Sequence, residues 1–415
     1  MKYNVNFILV LLFFMACSDD VVNPDQNPKP SNCIPTENQS PELAEINESV
    51  GNFGISVINK LNETEEGNVI ISPLSIYSAL LMLYEGSDCN TYTQIIETLG
   101  LGEENINVDV ASKYKDFINQ VLINNNTTTL KSANVIFSDP NRMTINPDFV
   151  SRLRDFYEAD SEQIDFSTDE AVSTFNQWAS DNTEERIKEV LDEIANDEVL
   201  FLINATYFIG DWINGFDDIY TAPRDFNLED GTTVPIPMMF ADALRDNYQD
   251  DNLKMVDMMI TDGYAASFVM PTQSDMFIKD FLAQEKFMDD YNRVIRDGLT
   301  RERLALSLPK FELSGNYSLK TALAQLGMPD AFSSGSANLS RMGSASGNLF
   351  VGRVKHDTYL KIDEKGIEGA AVTTIGVAAT SVPPPLIFNR PFVMIVRHVE
   401  TGVPIFIGKI QNPLG

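Results

Sequence analysis

Residues 76–84 read IYSALLMLY, almost wholly apolar. Just before them stands Ser72-Pro73-Leu74-Ser75, a serine suited to cap a helix and a proline suited to its first turn. Gly86 ends the run. The pattern predicts a helix apolar on every side, which belongs deep inside a large fold. Residues 147–159 (PDFVSRLRDFYEA) and 319–326 carry an amphipathic helical period, and 170–180 a fainter one. Strand patterns are more numerous and lie mostly later. Residues 131–138 alternate in part, and 199–209 (VLFLINATYFI) are apolar on both faces, as in a central strand. Residues 265–270, 303–308 and 356–363 are further strands. Residues 392–400 and 404–410, joined by Thr401-Gly402-Val403, read as a hairpin. Helices first and strands later argue an α+β fold rather than a βαβ repeat.

One stretch fits none of these patterns. GIEGAAVTTIGVAATSVPPP (366–385) carries a single charge, Glu368, before three prolines stop it. Drawn as a strand, one face holds Ile367, Gly369, Ala371, Thr373, Ile375, Val377 and Ala379, all uncharged. Glu368, Ala370, Val372, Thr374, Gly376, Ala378 and Thr380 form the other. Left exposed, such a run invites aggregation. A permanent buried strand and a flexible linker both remain open, although Ile, Val and Thr are poor linker residues.

The chain has 415 residues, and 30 basic residues face 60 acidic ones, a net charge of −30. That field repels nucleic acid and anionic membrane surfaces, and no basic patch with interleaved aromatics relieves it. No seam divides residues 41–415, so one large mixed domain is expected. The first sixteen residues carry one lysine and a short apolar run that suits a signal peptide better than a membrane span. Phe14-Met15-Ala16-Cys17 resembles a bacterial lipobox, which implies cleavage before Cys17 and lipid on its thiol and new amine. An ordinary secretory signal is the other reading. Ser18-Asp19-Asp20 resembles the surface-export signals of Bacteroidetes lipoproteins, and a polar, proline-dotted tether fills the rest of 17–40. A bacterial cell-envelope location follows, as an outer-membrane lipoprotein, with the face that carries it left open between the surface-exposed side and the inner one. Cys33 and Cys89 either pair in that oxidising setting or stay free. Two cysteines and two histidines far apart offer no metal-ligand spacing, so no metal is expected.

Catalytic motifs are missing from the sequence: no G-x-S-x-G, no H-E-x-x-H and no P-loop. Only His356 and His398 could serve as a triad base, and His398 falls within the predicted hairpin. Gly343–Gly347 (GSASG) has no nearby lysine or following helix and reads as a flexible loop. The chain is expected not to be an enzyme and to need no cofactor.

KIDEKGIEGAAVTT (361–374) resembles the hinge of the serpins, the serine protease inhibitor family. NVIISPLSIYSAL (68–80), FLINATYFIGDW (201–212), VPIPMMF (234–240), LSLPKFEL (306–313), LKTALAQLGMPDAF (319–332), FNRPFVMIVRH (388–398) and PIFIGKIQNP (404–413) are similar to that family's motifs, in its order, across 41–415. The resemblance implies a serpin fold of three β-sheets, eight or nine helices and an exposed reactive loop. It also implies a mechanism. A protease cleaves the loop and is held as an acyl-enzyme while the loop inserts as a new strand in the central sheet. Fifteen residues at ~3.3 Å each would carry the protease roughly 50 Å, and the native state would be held by a kinetic barrier.

By the same resemblance, the scissile bond counts to Thr380–Ser381 from Glu364 and from Phe388-Asn389, with Ala379–Thr380 one residue away. The hinge is Glu364, Gly366, Ile367, Glu368, Gly369, Ala370 and Ala371. Ser72, Ser75, Asn204 and His356 match the polar cluster beneath the sheet, and Trp212 the place where insertion begins. Val377, Ala378, Ala379 and Thr380 are small and uncharged bait. They suit elastase-like proteases first and subtilisin-like ones second, because a trypsin-like pocket needs Arg or Lys. Two departures stand out. Ile367 occupies a hinge position that is usually small, and its bulk could slow insertion enough to leave only a substrate: a non-inhibitory, serpin-fold binding protein. Gly369 replaces a common alanine and adds flexibility. Residues 87–100 hold no Lys or Arg to match the basic helix of heparin-activated serpins, so no heparin cofactor is expected. A monomer is expected.

Overall fold

The computed structural model describes residues 43–101, 109–124, 127–368 and 383–415. The leader and tether (1–16 and 17–40), with Cys17 and Cys33, lie outside the described residues. So do Gly369, Ala370, Ala371, Val377, Ala378, Ala379, Thr380 and Ser381.

The described residues form nine α-helices and three sheets of seven, nine and two strands. The apolar run after Ser72 is the helix Pro73–Gly86, with thirteen of its fourteen residues buried. Its start is built as the sequence implies: Ser72 Oγ accepts from the Ser75 backbone N–H at 3.2 Å. Helices Pro147–Tyr157, Asp169–Asn182 and Lys320–Leu326 also stand where the periodicity placed them. Helices Leu43–Leu61, Cys89–Thr98 and Val110–Val121, and the 17-residue strand Thr233–Gln249, were not foreseen. The strand interrupts its apolar positions with Asp242, Arg245 and Asp246, which blurs its period.

The nine-stranded sheet carries the C-terminal hairpin: Phe392–His398 pairs with Pro404–Ile410 and, on its other side, with Tyr264–Pro271. Both hairpin strands are buried along their whole length. The GSASG loop is a correction. Gly343–Ala345 pairs with Met143–Ile145 as a two-stranded ladder. Gly343 sits at φ 153°, with its missing Cβ only 2.2 Å from the Thr144 carbonyl oxygen, so only glycine fits this approach. Cys89 is disulfide-bonded.

The seven-stranded sheet positions the site. Its main path runs Phe311–Ser318, Lys355–Ile362, Gly366–Ile367, Leu200–Asp211, Thr128–Ser138. The 200–211 strand is apolar on both faces because both are covered. Leu200 and Leu202 pack on the main core, and Phe201 and Ile203 join Phe137, Phe166 and Phe175 under helix 169–182. Strands 200–211 and 355–362 do not pair with each other. The two-residue strand 366–367 lies between them, antiparallel to both. The sheet therefore contains a gap one strand wide, filled at one end.

Candidate functional site

At the filled end, Gly366 and Ile367 pair with Asp211 and Gly210, and Ile367 also pairs with Ile362. The backbones meet so closely that a Cβ on Gly366 would lie 2.1 Å from the Gly210 carbonyl oxygen. Ile367 is 1 % exposed and belongs to the main core. The large residue expected at the hinge is thus seated inside the sheet in this structure. Trp212 closes the same end: its indole N–H donates to the Asp363 carbonyl at 3.0 Å, and its backbone N–H to Lys365 O at 2.8 Å. The Glu364 carboxylate accepts from Lys310 Nζ at 2.7 Å and Thr221 Oγ1 at 2.8 Å. Burial alone would raise its pKa, but those hydrogen bonds hold it below the usual range. Lys310 and Thr221 had no local signal in the sequence, since their role comes only from the tertiary contact.

Ser72, Ser75, Asn204 and His356 lie further along the gap, in two hydrogen-bonded groups. His356 Nε2 accepts from the Ser72 backbone N–H at 3.0 Å. Its ring is 6 % exposed. Burial pushes its pKa down to about 3, so it stands as the neutral imidazole. Asn204 turns to the neighbouring strand instead, donating to Asn134 Oδ1 at 2.7 Å and Ser132 Oγ at 2.9 Å. Asn134 in turn donates to the Tyr157 carbonyl at 2.7 Å. Asn134 and Ser132, not singled out in the sequence, complete this network. The arrangement pairs the Asn204 and Asn134 amides and the His356 Nε2 while leaving strand 355–362 unpaired with strand 200–211.

Below the hinge strand the gap opens into a cleft of about 650 Å³, with Ser75, Asn204 and His356 among its polar lining and Leu80, Leu202 and Val354 among its apolar lining. The segment between helix 169–182 and strand 200–211 passes across it: Ile187, Val190 and Leu191 line it too. Arg353 and Lys355 tie the strand 355–362 side to Glu198 and Asp192 at 2.6 and 3.0 Å. Asp357, beside His356, has its carboxyl pushed up to about 6 by burial. Chemically, the site can accept a β-strand: two facing strand edges, apolar walls and a polar cluster midway. His398 sits elsewhere, at the end of its strand, with Nδ1 3.0 Å from Thr401 Oγ1. Among the described residues no group of three or more His, Cys, Asp or Glu is placed to hold a metal ion.

Residues 48–413 match the family model for Serpin (serine protease inhibitor). The chain belongs to the serpin family. Its sequence is 30 % identical to alpha-1-antitrypsin 1-3 of Mus musculus, over 100 % of both chains. It is 28 % identical to Serpin B6 of Macaca fascicularis, over 89 % of this chain and 99 % of that one. In structure this serpin resembles the thermophilic serpin tengpin in its native state (TM-score 0.79, 25 % identity, 91 % of this chain and 96 % of that one). It resembles thyroxine-binding globulin in complex with thyroxine equally well (TM-score 0.79, 26 % identity, 90 % and 100 %). The mixed α+β architecture around the gap is the serpin fold, and the family's description is that of inhibitors of serine proteases.

Proposed function

We propose that this serpin traps serine proteases by accepting its own cleaved loop into the gap. The observation that carries this reading is the register of the seated hinge. Ile362, Ile367 and Gly210 are partners. Six residues further along each strand, Thr373 would come between His356 and Asn204, at the polar cluster. The inward face would then continue as Gly369, Ala371, Thr373, Ile375 and Val377, all uncharged and fit for the apolar cleft. From Ile367 to Thr380 the inserted chain would span roughly 43 Å, far enough to drag an attached protease from one pole toward the other.

The cut is proposed at Thr380–Ser381, with elastase-like enzymes as first targets and subtilisin-like ones second, because Val377, Ala378, Ala379 and Thr380 fit shallow pockets. The serpin acts as a monomer without heparin, anchored through lipid on Cys17 to a bacterial cell envelope, outward-facing at the outer membrane. Intact-mass measurement of the envelope protein, with Cys17→Ser as control, checks the anchor. A second reading has its own support: the structure resembles thyroxine-binding globulin as well as it resembles tengpin, and Ile367 is large for a hinge. It makes the protein a binding module whose loop is only a substrate.

The deciding experiment mixes residues 18–415, which keep Cys33 available to Cys89, with an elastase and runs a denaturing gel. A boiled band at the summed masses is the expected trapped acyl-enzyme. Cleavage without that band, by elastase and subtilisin alike, favours the binding module. Thr380→Arg should redirect trapping to trypsin; undiminished elastase trapping would overturn the assigned bond.

A further inference from the structure

Six non-glycine residues among those described have positive φ, and three of them meet at one ion pair. Glu368, at φ 55°, is where the backbone leaves the sheet. Its side chain is 4 % exposed, and its carboxylate accepts from Arg186 Nε at 3.2 Å and Tyr207 Oη at 3.1 Å. Arg186 follows Glu184 and Glu185, at φ 49° and 61°, on the segment that crosses the cleft. Its guanidinium also lies over the Tyr359 ring, 5.5 Å from the centroid. Two strained stretches are thus tied together by one charged contact, and strain of this kind persists only where the surroundings hold it.

We infer that the Arg186–Glu368 pair, steadied by Tyr207 and Tyr359, is a catch that arrests the hinge with Ile367 as the last residue in the sheet. For the next residues to join the strand, Glu368 must become extended, near φ −120°. With Ile367 fixed, that rotation of roughly 175° swings the side chain off Arg186 and Tyr207. The crossing segment, which Arg186 anchors, must also let the loop pass behind it. The contact therefore exists before insertion and breaks during it, so it raises the barrier to the step. Arg186 and Glu368 are positioning residues that set how fast the loop goes in. This rests on the insertion reading above.

The test separates the two claims. In a Trp178→Phe background Trp212 becomes the sole tryptophan, and its indole bond to Asp363 makes it a reporter of the hinge. The loop is cut with thermolysin, and Trp212 emission and melting temperature are followed with time. If cutting the parent changes neither, the insertion reading fails whatever the catch does. If the parent inserts, Arg186→Gln and Glu368→Gln should each insert about tenfold faster, roughly 1.4 kcal/mol off the barrier. The double variant should be no faster than either single, because one contact is being removed. Lys131→Gln, which removes the neighbouring pair to Glu184, should leave the rate unchanged. Unchanged or slower insertion in both single variants, additive effects in the double, or an equal effect of Lys131→Gln would overturn the catch. Glu368→Gln is isosteric and keeps a partner for Tyr207, so it carries the test should Arg186→Gln fail to fold.

Discussion

At the upper end of the gap, Gly366 and Ile367 complete the sheet, and Trp212, Lys310 and Thr221 close round them. At the lower end, among the described residues, the same two strands face each other across a cleft that a crossing segment lines and ties to strand 355–362 through Arg353 and Lys355. Both ends have strand edges, apolar walls and nearby polar groups. They differ in whether a backbone lies between the strands. Hydrogen bonding makes the filled end rigid, while the open end keeps two unpaired strand edges within one fold, an arrangement that proteins otherwise avoid. On the proposed function, the open end is tolerated because the cleaved loop fills it.

The largest expected effect comes from blocking the filled end. Gly366→Val places a Cβ 2.1 Å from the Gly210 carbonyl oxygen and 2.9 Å from Asp211 Cα, both backbone atoms that cannot yield cheaply. The substitution should cost about 3 kcal/mol in urea unfolding or expel the hinge altogether. It should abolish covalent trapping of elastase in either case. Gly347, beside the open cleft, has nothing within 4 Å of its would-be Cβ. Gly347→Ala should stay within about 0.5 kcal/mol. Equal losses at the two glycines would mean that the ends are not differently packed.

The second effect is on pH, and it belongs to the middle of the gap. His356 is held neutral, with its pKa lowered to about 3 against 6.5 when unfolded. The unfolded chain therefore binds the proton first. The stability this residue contributes is full above pH 6.5 and is lost as pH falls toward 3. Between pH 6.5 and 4.5 the loss should be about 2–3 kcal/mol. Asp357 acts in the opposite sense: raised to about 6, it favours the fold below pH 3.8 and loses that contribution as pH rises through 6. Lys355 and Glu189 are the charged groups that modulate it. Urea midpoints across pH 4.5–7 for the parent and His356→Gln isolate the histidine, and the variant should show the flatter curve. A variant as acid-labile as the parent would show that the ring is not desolvated when the gap is half filled.

How much of this was legible in the sequence depends on whether a feature is local. The helix start at Ser72 and the C-terminal hairpin follow from caps, turns and period. The amphipathic helix 110–121 was overlooked although its moment is carried by Val110, Tyr114, Phe117 and Val121, because charged Lys113, Lys115 and Asp116 dilute the run. The run 366–385 showed that it could be a strand, and the uncharged inward face is what the register needs. Nothing local could show that Ile367 is already seated, because that depends on Gly210 and Ile362, both more than four residues away. The same holds for Lys310 with Glu364 and for Arg186 with Glu368: ion pairs between distant positions have no sequence period. Of the four residues matched to the polar cluster, Ser72 and His356 bond directly, whereas Asn204 reaches Asn134, a partner visible only once the strands are paired.

The smallest expected effect lies at the foot of the cleft and sharpens the comparison most. Glu198 and Arg353 pair at 2.6 Å with side chains 12 % and 24 % exposed, and Arg353 also donates to the Glu193 carbonyl. The pair ties only a crossing segment to its strand, so it is worth about 1 kcal/mol, and salt screens its solvent-facing side. Glu198→Gln should therefore lower stability modestly, and less near 1 M salt than at low ionic strength. Glu364→Gln, at the filled end, weakens a carboxylate that also anchors Thr221 and the turn that precedes Gly366, so its loss should be larger, and the share carried by the uncharged Thr221 donor should survive salt. The two carboxylates thus measure what a seated backbone adds to a charged contact. If Glu198→Gln proved as costly and as salt-resistant as Glu364→Gln, the foot of the cleft would be a clamp in its own right. Insertion would then have to break it as well as the hinge contacts, and cleavage would be followed by two slow steps rather than one.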